Sequence, residues 1–299
     1  MKTARTNRPA PAGGNFATPL RYPGGKGRLG PWLARLMRHN RISGGWYVEP
    51  YAGGAGAAIY LLSSGYVDHI AINDLDPVVH AFWWAVLNDA AGLLRLIDET
   101  PVTIASWERQ KAVLATPESF SPTEVGFATF FLNRTNRSGI LKGGVIGGRQ
   151  QNGPYPIDAR FNKENLSARI RLIASLKRHI SLYQEDALDL LEGMRGDLPA
   201  KSLTYLDPPY YQKGSQLYRN HYKPEDHVRI AAAVSEIRSP WLVTYDDCPE
   251  IRLLYHDCDG VDFSLYYSTA GARPLATELM YYGNLEMLPE GPTMTRRNV

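Results

Sequence analysis

The chain has almost no cysteine. Two thiols in 299 residues, Cys248 and Cys258, exclude a disulfide framework and a multi-cysteine zinc site, and point to a reducing, cytoplasmic compartment. It also lacks a long apolar run. The longest, around Ala81–Leu87, stops at Asn88 and Asp89, short of the ~20 residues a bilayer span demands. Lys2, Arg5 and Arg8 are followed by no apolar stretch, so no secretory signal is read and no membrane partner is expected. The seven histidines show no ligand spacing, and no metal is expected. Nor is there a strong excess of one charge. Thirty-three Lys and Arg stand against thirty Asp and Glu, a net charge of +3, which permits a nucleic-acid partner without demanding one.

What is present is ample core material: 44% hydrophobic and 21% charged residues, the balance of a folded chain rather than a disordered one. Residues 1–18, punctuated by Pro9, Pro11, Gly13 and Gly14, read as a flexible tail. Then short apolar runs alternate with helical segments. Trp46–Glu49 and His69–Asn73 read as strands, Ala55–Ser64 and Asp76–Asn88 as helices, an alternation that argues for parallel βαβ units. From 90 to 178 the rhythm turns mostly helical, over Ala90–Glu99, Ser106–Ala115, Thr123–Thr135 and Lys163–Arg178. A glycine-rich stretch, Gly139–Tyr155, reads as a hairpin or mobile loop. Strands resume at Ile180–Gln184, Ser202–Leu206, Pro240–Tyr245, Val261–Tyr267 and Glu278–Gly283, with a helix at Pro224–Arg238, and the last ten residues read as a loose tail. The expected architecture is one α/β sheet domain, 19–89 with 179–290, interrupted by an inserted helical domain, 90–178.

Two motifs carry chemistry. The first, Glu49-Pro50-Tyr51-Ala52-Gly53-Gly54-Ala55-Gly56, sits where a strand turns into a helix. Gly53, Gly54 and Gly56 there let the backbone approach a ligand, with a helix N-terminus behind it. Asp74 ends the next strand, where an acidic residue binds a ribose hydroxyl pair. Together they indicate an adenosine-containing cofactor. A dinucleotide is not indicated, because Ile59 stands where the third glycine of that fingerprint belongs. A P-loop is excluded because Gly27 follows Lys26.

The second motif, Asp207-Pro208-Pro209-Tyr210, follows the strand-like run Ser202–Leu206. Consecutive prolines cannot continue a central strand, so the chain leaves the sheet there and presents a carboxylate and a ring at its carboxyl edge. An exocyclic amine on a nucleobase is a poor nucleophile because its lone pair is delocalised. Asp207 and the Pro208 carbonyl can accept both amine hydrogens and favour a pyramidal, reactive nitrogen. Pro208 and Pro209 carry no amide hydrogen, so the turn offers acceptors only. Tyr210 offers a face on which an extruded base can stack.

In these motifs and their order the chain resembles the Dam-type adenine-specific DNA methyltransferases. Pro19-Leu20-Arg21-Tyr22-Pro23-Gly24-Gly25-Lys26 is similar to their N-terminal cofactor motif, Tyr47–Gly56 to the glycine-rich loop, Ile72–Asp76 to the ribose-binding strand end, and Asp207–Tyr210 to the catalytic signature. Weaker similarity runs through Phe130–Thr135, Gln184–Ala187 and Glu278–Met280. The resemblance implies a Rossmann-like methyltransferase sheet with a mostly helical DNA-recognition insertion. It implies S-adenosyl-L-methionine as methyl donor and N6 of adenine in double-stranded DNA as acceptor. It implies catalytic roles for Asp207, Pro208, Pro209 and Tyr210. Cofactor contacts are implied at Tyr22, Lys26, Glu49, Tyr51, Gly53, Gly54, Gly56, Asp74, Asp186 and Asp207, with Glu185 as the alternative to Asp186.

One departure stands out. Where the family carries an aromatic-Asn-Gly segment, this chain has Arg137-Ser138-Gly139, which argues against GATC specificity, leaves the recognition sequence open and assigns DNA contact to Arg134, Arg137, Lys142 and Arg149. Neither cysteine follows a proline, so the nucleophile of cytosine carbon methylation is missing. An RNA or protein amine methyltransferase and a non-catalytic DNA-binding regulator are the alternative readings. A restriction endonuclease partner, phage protection and gene regulation remain open as roles, as does the oligomeric state.

Overall fold

Five parallel strands and three antiparallel ones build the framework that carries the site. The structure is a computed structural model that describes residues 18–21, 26–196, 198–212, 222–266, 275–286, 288–290 and 294–296, with 264–266, 275–277 and 294–296 as backbone. Residues 1–17 of the expected tail and Tyr22-Pro23-Gly24-Gly25 lie outside the described residues. The strands are β1 (Trp46–Glu49), β2 (His69–Asn73), β3 (Ile180–Tyr183), β4 (Ser202–Leu206), β5 (Trp241–Asp246), β6 (Asp259–Tyr266), β7 (Leu275–Gly283) and β8 (Met294–Arg296). Among the described residues they form one sheet in the order β3-β2-β1-β4-β5-β7-β6-β8. Strands β1 to β5 run parallel, while β7 inserts antiparallel between β5 and β6. This is a Rossmann-like α/β sheet. Its order reverses between β1 and β4, and ligands of such sheets bind in the crevice at the carboxyl ends of the strands flanking the reversal.

Strand boundaries agree closely with the hydrophobic runs read from the sequence. One element differs in kind. The expected C-terminal tail contains β8, which pairs antiparallel with β6 through Val261↔Arg296, Asp262↔Thr295 and Phe263↔Met294. Its three residues are too short to show alternation, and only the exposed edge of β6 gives them a partner.

The helices are α1 (Gly30–His39), α2 (Gly56–Ser63), α3 (Pro77–Asn88), α4 (Ala90–Glu99), α5 (Ile104–Ala115), α6 (Pro122–Thr135), α7 (Lys163–Ser175), α8 (Ala187–Gly193), α9 (Pro224–Ser235) and α10 (Pro249–Leu254). Side-chain caps explain several starts: Asp76 on Val78 N, Asp89 on Gly92 N, and a full capping box between Ser121 and Glu124. Sequence reading passes over α1, α8 and α10. In α1 the Gly30-Pro31 pair looks like a turn, yet proline is tolerated in the first helical turn, where its missing N–H costs nothing.

Period-2 alternation sends side chains to two layers. Leu203, Tyr205, Leu242 and Met280 join α1, α2, α3, α4, α6 and α7 in one apolar cluster. Leu206, Val243, Tyr245, Leu279 and Tyr281 join α8, α9 and α10 in another. The helical stretch after α3 therefore shares a core with the sheet: Phe130 stacks on Phe82 of α3, and Phe161 meets Phe130 edge-on and Phe131 at a tilt. Gly126 permits the close approach of α6 to α3, since a Cβ there would sit 2.6 Å from the Ala81 carbonyl oxygen. The glycine-rich stretch forms no strand; it is a series of turns joined to the end of α6 by a single bridge, Asn136↔Val145. Gly139, Gly147 and Gly148 take positive φ there, which suits turns and breaks a ladder.

Among the described residues no helix is long and apolar enough to cross a membrane.

Candidate active site

The carboxyl ends of β1, β2 and β4 lie side by side, and a buried asparagine at the end of β2 ties the segments that follow β1 and β3. Asn73 Nδ2 donates to the carbonyls of Pro50 and Glu185 at 2.9 and 3.0 Å, and its Oδ1 accepts from Glu185 N at 2.9 Å. The loop after β1 is thus held in a fixed shape. Gly53 and Ala55 take positive φ of 46° and 44°. Trp83 Nε1 donates to Gly53 O at 2.9 Å. Gly27, beside Lys26, packs on Gly56, which has no room for a side chain: a Cβ on Gly56 would meet the Gly27 Cα at 2.9 Å.

Asp74 lies against this loop. Its Oδ2 accepts from Gly53 N and its Oδ1 from Asp76 N, both at 2.9 Å. Burial pushes its carboxyl up to about 7, against the pull of those two amides. At the end of β1, Tyr47 Oη donates to Glu49 Oε1 at 2.9 Å. Burial and, less strongly, the charge of Asp207 outweigh that bond and push Glu49 up to about 8.

Beyond β4, Asp207 meets the N-terminal turn. Lys26 Nζ lies 3.1 Å from Asp207 Oδ1 and 3.1 Å from Glu278 Oε2, and donates to Tyr210 Oη at 3.3 Å. Tyr210 Oη in turn donates to Glu278 Oε1 at 2.7 Å. Thr244 Oγ1 on β5 donates to Asp207 Oδ1 at 2.8 Å and pairs with Tyr205 Oη at 2.9 Å. Lys26 is 6% exposed and Glu278 2%. Burial pulls the Lys26 ammonium down, but Asp207 and Glu278 together overcome it and hold the group well above its ordinary value. Burial raises Glu278, opposed by Lys26 and reinforced by Asp207. No described residue donates to Asp207 Oδ2, and this side chain is the more open of the three, at 21%.

The structure therefore brings together Lys26, Glu49, Asp207 and Tyr210, with the Gly53–Gly56 loop and Asp74 alongside. Pro208 and Pro209 are buried beneath the turn. Glu278, Thr244, Tyr47 and Asn73 complete the arrangement and were not singled out as site residues. For Glu278 a signal existed, a lone carboxylate in the otherwise uncharged run Leu275–Gly283. Tyr51 bonds Tyr222 through the two hydroxyls at 2.9 Å. Asp186 caps α8, its Oδ1 accepting from Leu188 N at 2.9 Å, while Glu185 contributes backbone groups to Asn73. Tyr22 lies outside the described residues.

The four basic residues of the helical stretch divide. Arg134 turns inward, its Nε donating to Arg160 O at 2.7 Å and its Nη1 to Pro19 O at 3.5 Å. Burial, then the charges of Arg21, Arg169 and Arg160, pull it down to about 9. Arg137, Lys142 and Arg149 are exposed. Arg137 starts the turn 137–139, and its guanidinium lies across Gly144. Arg149 reaches Glu108 at 4.0 Å and stands 5.8 Å from the Trp107 ring centre.

The residues fit a cationic nucleoside donor. The glycine loop lies against the strand-end carboxylate of Asp74, which suits a ribose diol, and Asp207 and Glu278 set two carboxylates against the one ammonium of Lys26. Among the described residues no group of three or more His, Cys, Asp or Glu is placed to hold a metal.

Comparison with known proteins gives one strong match. The family model for D12 class N6 adenine-specific DNA methyltransferases matches residues 22–270. No curated protein sequence matches significantly. Among solved structures, the rRNA methyltransferase aviRa from Streptomyces viridochromogenes is 14% identical, with a TM-score of 0.34 over 85% of this chain and 83% of that one. An S-adenosylmethionine-dependent methyltransferase from Neisseria gonorrhoeae is 12% identical, with a TM-score of 0.31 over 86% of this chain and 66% of that one. Likenesses this distant carry no functional weight.

Proposed function

Because the chain belongs to the D12 class N6 adenine-specific DNA methyltransferases, we propose that it is a site-specific enzyme that takes its target adenine out of the duplex and holds it at Asp207-Pro208-Pro209-Tyr210. S-adenosylmethionine, the methyl donor of the family, supplies an electrophilic methyl on a sulfonium.

The chain's own residues do the rest. Asp74 accepts from the ribose hydroxyls, and the Gly53–Gly56 loop lets the nucleoside lie close to the backbone. Asp207 is the residue on which the reading rests. Its Oδ1 is fixed by Lys26 and Thr244, while no described residue donates to Oδ2. A carboxylate held at one oxygen and open at the other is preorganised to accept one hydrogen of the exocyclic amine, with the Pro208 carbonyl accepting the second. The nitrogen lone pair is thereby released toward the methyl. Tyr210, tethered through its hydroxyl, gives the base a ring to stack on. Stacking offsets part of the few kcal/mol that extrusion costs.

Residues 90–178 form the target-recognition part in this reading. The exposed Arg137, Lys142 and Arg149 face the DNA, and Arg134 shapes the surface by holding the backbone at Pro19 and Arg160. The experiment is long-read sequencing of host DNA with and without expression of the protein, alongside Asp207→Ala. N6-methyladenine in one defined sequence context, absent with Asp207→Ala, is the expected result. Methylation found only in RNA or protein would overturn the reading.

A further inference from the structure

One buried carboxylate, Glu278, and one half-open carboxylate, Asp207, face a single buried ammonium. Lys26 Nζ is 3.1 Å from each of Asp207 Oδ1 and Glu278 Oε2. The other groups around Glu278 do not restore the balance. Tyr210 and Tyr205 offer hydroxyls, and Asp246, a further carboxylate, stands at the cross-strand position on β5. Phe263 occupies the cross-strand position on β6. Fully ionised, Lys26, Asp207 and Glu278 sum to one negative charge, and at Glu278, 2% exposed, an unbalanced charge is costly.

The methyl donor is a sulfonium and carries one positive charge that the thioether product lacks. We propose that Glu278 is the charge-balancing residue of the cycle: it holds a proton when no donor is bound, releases it when the sulfonium enters, and regains one when the methyl has left. Burial and the neighbouring Asp207 both favour the protonated form of Glu278.

The step balances. The nitrogen–carbon bond forms as the sulfur–carbon bond breaks, and sulfur keeps that electron pair. The amine nitrogen then loses one proton and keeps the nitrogen–hydrogen pair. That proton goes to Asp207, and because Lys26 bridges the two carboxylates, one of its own protons shifts to Glu278 while Lys26 takes the proton from Asp207. Per turnover, one proton reaches solvent, released at donor binding, and the amine's proton restores the resting state. The second half of this cycle rests on the reading of Asp207 above; the first half does not.

The test separates them because it uses no DNA. Calorimetric titration of the full chain in two buffers of different ionisation enthalpy counts protons released per ligand bound. Near neutral pH, S-adenosylmethionine should release about one more proton than S-adenosylhomocysteine. Glu278→Gln should still bind both and lose that difference, while Glu49→Gln, which removes the other buried carboxyl at the site, should keep it. Equal release for the two ligands by the unaltered protein would overturn the proposal, whether or not the variants fold. So would a difference that survives Glu278→Gln or vanishes with Glu49→Gln. Failure of Asp207 as the amine's acceptor would show instead as methylation by Asp207→Ala.

Discussion

Gly56 faces Gly27 so closely that a Cβ on Gly56 would lie 2.9 Å from the Gly27 Cα, whereas a Cβ on Gly27 would find its nearest neighbour at 3.5 Å. The contact joins the turn that carries Lys26 to the first turn of α2. Gly56→Ala must push the two apart and should cost about 1–3 kcal/mol of stability, as overpacking does. It should also weaken cofactor binding, because Lys26 moves with the turn. Gly27→Ala meets ordinary contact and should be the milder change. Thermal unfolding and cofactor titration of both variants decide this, and the reverse order would contradict the geometry.

Asp74→Ala should bind S-adenosylmethionine more weakly by roughly 1.5–3 kcal/mol, the worth of a hydrogen bond to a charged group. The dependence on pH has a definite sign. The carboxyl titrates near 7, so the ionised acceptor is present above that value and lost below it. Cofactor affinity should therefore fall as pH drops through 7, and Asp74→Asn should remove that dependence for S-adenosylhomocysteine and lessen it for S-adenosylmethionine. Unchanged affinity in a folded Asp74→Ala protein would remove Asp74 from the cofactor site.

Asp207→Ala should abolish methylation while the fold survives, since Glu278, freed of the neighbouring Asp207 charge, can ionise and serve as the counter-charge of Lys26. Tyr210→Ala should be milder on the chemical step, because stacking holds the base but does not activate its nitrogen. Its loss should appear largely as weaker DNA binding. Single-turnover rates and DNA affinities measured on the same preparations separate the two effects.

Arg137 and Lys142 should differ in kind. Arginine's planar fork suits a guanine edge, and Arg137→Ala should relax the methylated sequence at one position, a loss of about 1–3 kcal/mol in discrimination. Lys142→Ala should weaken all sequences alike and reduce the salt slope by about one. Sequencing of methylated DNA and salt titration check both. An Arg137→Ala enzyme with an unaltered motif would refute the base-reading role.

Glu49 predicts a stability change that depends on pH. Its folded-state value of about 8 lies above the ordinary 4.5, so the native state binds the extra proton and is stabilised below 4.5. That contribution is lost progressively as pH rises from 4.5 to about 8. Each unit corresponds to about 1.4 kcal/mol. Glutamine keeps an acceptor for Tyr47 and has no charge to bury. Glu49→Gln should therefore unfold at a higher temperature than the unaltered protein at pH 8.5 and at a similar one at pH 4.5.

Legibility followed contiguity. Asp74 and Asp207 each end a run whose composition already declares a strand, so their place at the carboxyl edge could be read directly. Glu278, Thr244 and Asn73 could not be placed that way, because each acts through an element far away in the chain. Glu278 reaches Lys26 only because β7 pairs antiparallel to β5, setting it opposite Asp246, and nothing local encodes that register. The glycines of 139–155 announced turns, but not that positive φ at Gly139, Gly147 and Gly148 would leave no ladder. Arg134 looked like its basic neighbours, and only packing against Arg160 and Pro19 set it apart.

The span between Lys26 and Glu278 also sets a timetable for synthesis. The ammonium leaves the ribosome among the first residues of the sheet domain, and its second carboxylate emerges more than two hundred residues later. Until β7 is made and slots between β5 and β6, Lys26 has one of its two carboxylates and the bond from Tyr210 to Glu278 cannot form. A nascent chain can thus build every parallel strand and still lack the contacts that join Lys26 and Tyr210 to β7.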